Sequence, residues 1–246
     1  MYTDRVRRRV RREKIELPEG YVLATDNDFS GTTNGSFRYI GTALKVVIPN
    51  KIKGISLTRY DNMFRDSNVI GVVSYNKNVT NMVGMFHSSK ATILDLSNFN
   101  TSNVTDMRDM FYNSQATTLD LSSFDTFNVT NMNGMFYGSK ITSLDLSDFN
   151  TSSVTSMGNM FGNSQATSLN LSSFDTSSVT NMNVMFYGSK ITSLDLSSFN
   201  TSSVTDMSNM FQNAQSTIGY ARTQVDADKF NTSSNKPVGL NFVVKP

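Results

Sequence analysis

A valine recurs at Val79, Val104, Val129, Val154, Val179 and Val204, each 25 residues after the last. Two methionines follow every one of them, from Met82 and Met85 to Met207 and Met210, and a phenylalanine comes next, from Phe86 to Phe211. A leucine pair (Leu94/Leu96 to Leu194/Leu196) and a second phenylalanine (Phe99 to Phe199) complete the unit. The stretch VTNMNGMFYGSKITSLDLS at Val129 returns almost unchanged at Val179, and the copy between them keeps the landmarks and alters the gaps. Self-similarity at such a period marks a solenoid, in which each unit buries its apolar side against its neighbours and cannot fold alone.

Two periodicities alternate within a unit. In SLDLS the leucines are two apart, so Leu144 and Leu146 share one face of a short strand and Asp145 faces the other way. In VTSMGNMF the apolar residues fall at i, i+3, i+6 and i+7, which predicts that Val154, Met157, Met160 and Phe161 line one stripe of a short helix capped by the hydroxyls of Thr151 to Ser153. The expected architecture is an α/β repeat: a leucine-rich-repeat-like solenoid of about six strand-helix coils over residues 61–216. A β-rich N-terminal cap occupies 18–60, behind an arm at 1–17, and an α/β C-terminal cap with a helix and a final strand occupies 217–246. Methionine fills irregular gaps in cores, so the sulfur columns read as packing. A soft metal such as Cu(I) is the alternative, and the phenylalanines beside them, with no cysteine in the chain, argue against it.

The chain has no cysteine, which excludes disulfides, thiolate metal sites and thiol nucleophiles. Its longest apolar run, near Val69 to Val73, falls far short of the roughly 20 residues of a membrane span. The net charge of +2 hides an asymmetry. Arg5, Arg7, Arg8, Arg9, Arg11, Arg12 and Lys14 are seven of 22 basic residues, ahead of a slightly acidic body. Such an arm suits anchorage in a larger assembly; specific nucleic-acid recognition is disfavoured because no aromatic residue interleaves the arginines. The opening MYTDRVRRRVRREK runs into IELPEG rather than an apolar segment, so it does not read as a secretory signal.

The run LDLSSFDTSSVTNMNVMFYGSKITSLDLSSFNTSSVTDMSNMF resembles the repeat of the BspA-like surface proteins of bacteria, a leucine-rich-repeat-like family, and the likeness covers about residues 56–216. A Cys-Ser usual in that family near Asn163-Ser164 or Gly188-Ser189 is missing. The resemblance implies a non-catalytic adhesion or recognition module displayed at a bacterial cell surface, binding a glycan or protein receptor, with no cofactor and no catalytic residues. Similar arrays in phage genes give an alternative: a virion structural protein anchored by residues 1–17, with an assembly partner there. A homo-oligomer is compatible with either.

Stacking in register sets equivalent residues about 4.8 Å apart. Asp95, Asp120, Asp145, Asn170 and Asp195 then form one outward column, flanked by Ser97, Ser122, Ser147, Ser172 and Ser197. This column is the candidate binding strip for sugar hydroxyls or a cation. The simpler reading, favoured for the metal case, has each carboxylate bonded to its own Ser or Thr, keeping the sheet soluble. Carboxylates at that spacing also match a retaining glycosidase, but a file of near-equivalent acids on an even surface offers no distinct proton donor. His87 stands where other coils have Tyr112, Tyr137 or Tyr187, and is read as a surface residue.

Overall fold

A computed structural model describes residues 16–31 and 35–246. In chain order its strands are β1 (Val22–Leu23), β2 (Phe29–Gly31), β3 (Phe37–Tyr39), β4 (Lys45–Val47), β5 (Lys51–Ile52), β6 (Ile55–Ser56), β7 (Gly71–Val73), β8 (Ile93–Leu94), β9 (Thr118–Leu119), β10 (Ser143–Asp145), β11 (Ser168–Asn170), β12 (Ser193–Leu196), β13 (Ile218–Ala221) and β14 (Asn241–Val244). One helix, α1 (Gln224–Asn231), precedes the last strand. The chain is a β-solenoid of about nine turns with little helix. Parallel pairing joins β1–β4–β7, β8–β9, β10–β11 and β12–β13–β14, always residue against equivalent residue: Leu144 on Leu169, Asp145 on Asn170. Because the alternation is strict, the leucines of each strand point inward and the Asp and Ser side chains outward.

The predicted strand-helix coil is corrected on its second half. From Val129 to Ser139 the chain is a bridge followed by a run of tight turns, not a helix. The N–H groups of Met132, Gly134, Phe136 and Gly138 donate to the carbonyls of Ser156, Gly158, Met160 and Gly162 in the next coil at 2.8–3.0 Å. Those of Met135, Tyr137 and Ser139 close turns onto Met132, Gly134 and Phe136, three residues back. The three-residue closures give the inward spacing of a helix, while every second donor serves the neighbouring coil. Nor do the hydroxyls of Thr151 to Ser153 cap a helix: Thr151 is buried and its hydroxyl donates to Asp175 O one coil on, at 2.8 Å.

Such a turn run needs left-handed backbone at two positions per coil. Gly84, Asp109, Gly134, Asn159, Val184 and Asn209 occupy the first and Ser88, Asn113, Gly138, Asn163, Gly188 and Asn213 the second, all at positive φ. Only Gly, and less readily Asn or Asp, takes that conformation at low cost. Asn or Asp largely alternates with Gly for a further reason. A β-carbon on Gly134 or Gly138 would collide with Oδ1 of Asp109 or Asn113, which lean onto them from the preceding coil. Large over small therefore repeats every second coil at the second position, with Asn113 and Asn163 leaning on Gly138 and Gly188. Val184, at φ 58°, breaks the rule with a β-branched residue. Val184→Gly, the residue of its counterpart Gly134, is expected to stabilise the chain by about 1 kcal/mol. Thermal unfolding that shows no gain would mean the valine repays its strain.

The interior is columnar. The paired methionines from Met82 to Met185 are all fully buried, so their sulfurs serve packing. Phe64, Phe86, Phe111, Phe136, Phe161, Phe186 and Phe211 stack with centroids 5.6–5.9 Å apart and planes within 12°. The coil count exceeds six because the flanks join the same array: Val22 pairs with Val46 and Val46 with Val72, and β14 extends the ladder beyond β13. Tilted rings close the stack at both ends, Tyr39 on Phe64 and Phe242 on Phe211.

Candidate functional site

Of the column proposed from sequence, Asp145 and Asn170 are register partners, and Asn170 Nδ2 donates to Asp145 Oδ1 at 2.9 Å. Each member also serves its own coil. Oδ1 of Asp95, Asp120, Asp145 and Asp195 accepts the N–H of the serine two residues on at 3.0–3.1 Å, and Asn170 does the same for Ser172 at 3.3 Å. The serine hydroxyls of Ser97 and Ser122 add bonds of 2.7 Å. This is an Asx turn, which bends the chain out of the strand. The ends of the file are closed by flanking residues: Tyr21 donates its hydroxyl to Asp95 at 2.7 Å, and Lys245 pairs with Asp195 at 2.6 Å. Asp120, Asp145 and Asn170 remain the open stretch, all exposed.

The electrostatics of the file are uniform. The Ser97 and Tyr21 hydroxyls hold Asp95 below the usual carboxylate range, and the Ser122 hydroxyl does so for Asp120. The Ser147 N–H lowers Asp145; at Asp195 burial pushes upward, but Lys245 and Ser197 outweigh it. Tyr21, buried beside Asp95, is raised. The four carboxylates of the file are therefore ionised hydrogen-bond acceptors, with the neutral Asn170 among them. Among the described residues no three or more His, Cys, Asp or Glu side chains are grouped so as to hold a metal ion. The arginines Arg5, Arg7, Arg8, Arg9, Arg11 and Arg12 lie outside the described residues.

A second outward column lies on the turn side. His87, Tyr112 and Tyr137 stack with centroids 4.7 Å apart, each half-buried. His87 is therefore a member of an aromatic ladder, not an isolated surface residue, and burial with nearby Arg65 lowers its pKa. The column continues through Gly162, Tyr187 and Gln212. Its tyrosines were visible at fixed spacing, but only stacking gives them one face.

Residues 56–170 and 139–239 match the family model described as Mycoplasma protein of unknown function, DUF285, together about three quarters of the chain. The chain belongs to the DUF285 family. DUF285 repeats are related to those of the BspA-like surface proteins, which agrees with the motif Leu-x-Leu-Ser-x-Phe and the Val, Met, Met-Phe landmarks. A search of curated proteins finds no match. The DUF285 match covers both outward columns in full and assigns neither a ligand. Among the described residues no helix is long and apolar enough to cross a membrane.

Proposed function

We propose that this chain is a non-catalytic recognition module, displayed at a surface and holding a glycan or protein receptor through contacts repeated from coil to coil. The observation that carries the reading is the exposed stretch Asp120, Asp145 and Asn170 at equivalent positions of successive coils, with Asp145 and Asn170 in register and serine hydroxyls alongside. Equivalent weak contacts on a rigid array multiply into avidity. Catalysis on a glycosidic bond asks for a carboxyl held protonated near neutrality. Asp95, Asp120, Asp145 and Asp195 are all shifted the other way.

Changing Asp120 and Asp145 together to alanine removes two neighbouring acceptors. Retention of the chain on bacterial cells and on immobilised glycans is expected to fall at least tenfold on the avidity argument. Both Asx turns lie at the surface, outside the apolar interior, so their loss leaves the array folded. Undiminished retention by a variant with native circular dichroism would remove the strip from the binding surface.

A further inference from the structure

Where regular coils meet, one more backbone bond holds the turn side: the N–H of Lys90, Gln115, Lys140, Gln165, Lys190 and Gln215 donates to a serine carbonyl of the coil before at 2.8–3.3 Å. Asn68 stands to Phe64 as Lys90 does to Phe86, yet its N–H has no such partner among the described residues. The N-terminal cap bypasses that level. It leaves the stack after Tyr39, whose N–H reaches Met63 O at 2.8 Å, and turns the Ile40 N–H to Asp28 O at 2.8 Å. It rejoins at Leu44, whose carbonyl accepts from Ile70 and Gly71 at 2.8 and 3.2 Å. A cavity of about 710 Å³ is left between residues 40–44 and 65–69, a volume typical of small-ligand sites.

Its wall carries charge of both signs. Arg38 Nη2 donates to Arg65 O and to Asp66 Oδ2, both at 3.1 Å, and Arg65 Nε lies 3.6 Å from the same carboxylate. In the next coil the matching carbonyl, His87 O, is taken by the backbone N–H of Asp66 at 2.9 Å, so Arg38 fills in for a missing backbone donor. Two guanidinium groups face one carboxylate, which leaves one positive charge in excess in the lining. Asp28, bound at 2.8 Å by the Thr25 N–H and hydroxyl, is not part of that lining. Both arginines are half-exposed, and each has more N–H donors than these bonds use. Beside them line Ile40 and Leu44, 58% and 51% exposed, while Thr42 and Asn68 add uncharged polar groups.

One excess charge suits a single carboxylate, which guanidinium groups hold through paired hydrogen bonds. A phosphate monoester carries nearly two charges and would meet Asp66 as well. A purely aliphatic acid would leave Asp66, Thr42 and Asn68 without partners. We infer that this cavity is a subsite for a sugar unit bearing one carboxylate, with its acid group on Arg38 and Arg65, its hydroxyls on Asp66, Thr42 and Asn68, and its C–H face on Ile40 and Leu44. The subsite lies on the turn side at the N-terminal cap and does not depend on the strip at Asp120 and Asp145.

The full chain is titrated with sialyllactose and digalacturonate, and with lactose and hexanoate for comparison, by calorimetry and ligand-observed NMR. At least one of the two acidic sugars should bind at millimolar concentration, at least tenfold more tightly than lactose or hexanoate. Arg65→Gln keeps the Arg38 bond to the backbone carbonyl and should weaken that binding at least tenfold. Thr42→Trp, which fills the cavity and leaves its charges in place, should do the same. The alanine variant at Asp120 and Asp145 should bind as the parent does, which separates failure here from failure of the strip. No binding of either acidic sugar, or binding unchanged in Arg65→Gln or in Thr42→Trp, overturns the subsite. Binding weakened by the Asp120 and Asp145 change moves the acidic sugar to the strip and overturns it equally. Lactose bound as tightly overturns the role of the carboxylate, and hexanoate bound as tightly overturns the sugar assignment.

Discussion

Asp226→Ala is expected to unfold the C-terminal end of the solenoid, at a cost of about 3 kcal/mol. Along the interior a buried threonine of each coil bonds the next: Thr126 to Asn150 O at 2.9 Å and Thr176 to Asn200 O at 2.9 Å. At Thr201 the regular coils run out, and the Asp226 carboxylate takes over. Its Oδ1 accepts from the Thr201 N–H at 3.0 Å and hydroxyl at 2.7 Å, while Oδ2 receives the Thr223 hydroxyl and Arg222. Asp226 is only 2% exposed and Thr201 1%, so alanine would leave the Thr201 N–H and hydroxyl buried without a partner. Burial pushes its pKa up, but Thr223, Thr201 and Arg222 outweigh it and lower the carboxyl to about 2. A depressed folded pKa stabilises above the unfolded value of 3.8. That contribution of about 2 kcal/mol is lost as pH falls from about 4 to 2. Hydrogen exchange should show protection lost first from Thr201 to Phe211 in the variant. Uniform protection there, with an unchanged midpoint in denaturant, would refute the capping role.

Phe136→Ala should cost about 3–5 kcal/mol. Its ring is 1% exposed and lies in the middle of the ladder, 5.6 Å from Phe111 and 5.8 Å from Phe161. Removal opens a cavity and leaves Phe111 and Phe161 each with one stacking partner instead of two. Since every coil is stabilised only by those beside it, damage at the centre splits the array into two shorter ones. Denaturant unfolding should lose its single sharp transition. Phe136→Leu keeps most of the volume and should cost under half as much. A variant with alanine that unfolds as sharply and at the same midpoint as the parent would show that the ladder is dispensable.

Much of the interior is legible in the sequence. The period, the inward Val, Met, Phe and Leu columns and the outward Asp file all follow from spacing, because in-register stacking places equals on equals. The turn side was not. An i, i+3, i+6, i+7 stripe belongs to a helix and equally to turns closed every three residues. What separates them is where alternate N–H groups go, and for Met132 or Phe136 the acceptor lies in the next coil. One clue stood in the open: glycine at both 134 and 138 weakens a helix yet suits left-handed turns.

The amino-acid sequence by itself determined that this protein is a stacked array with a methionine and phenylalanine interior, since no single unit holds enough apolar surface to stand alone. Tertiary structure alone decided the rest. It made the coils turns rather than helices and drew both flanks into the ladder. The physical reason is that about half the hydrogen bonds of each turn run are supplied by residues about 25 positions away.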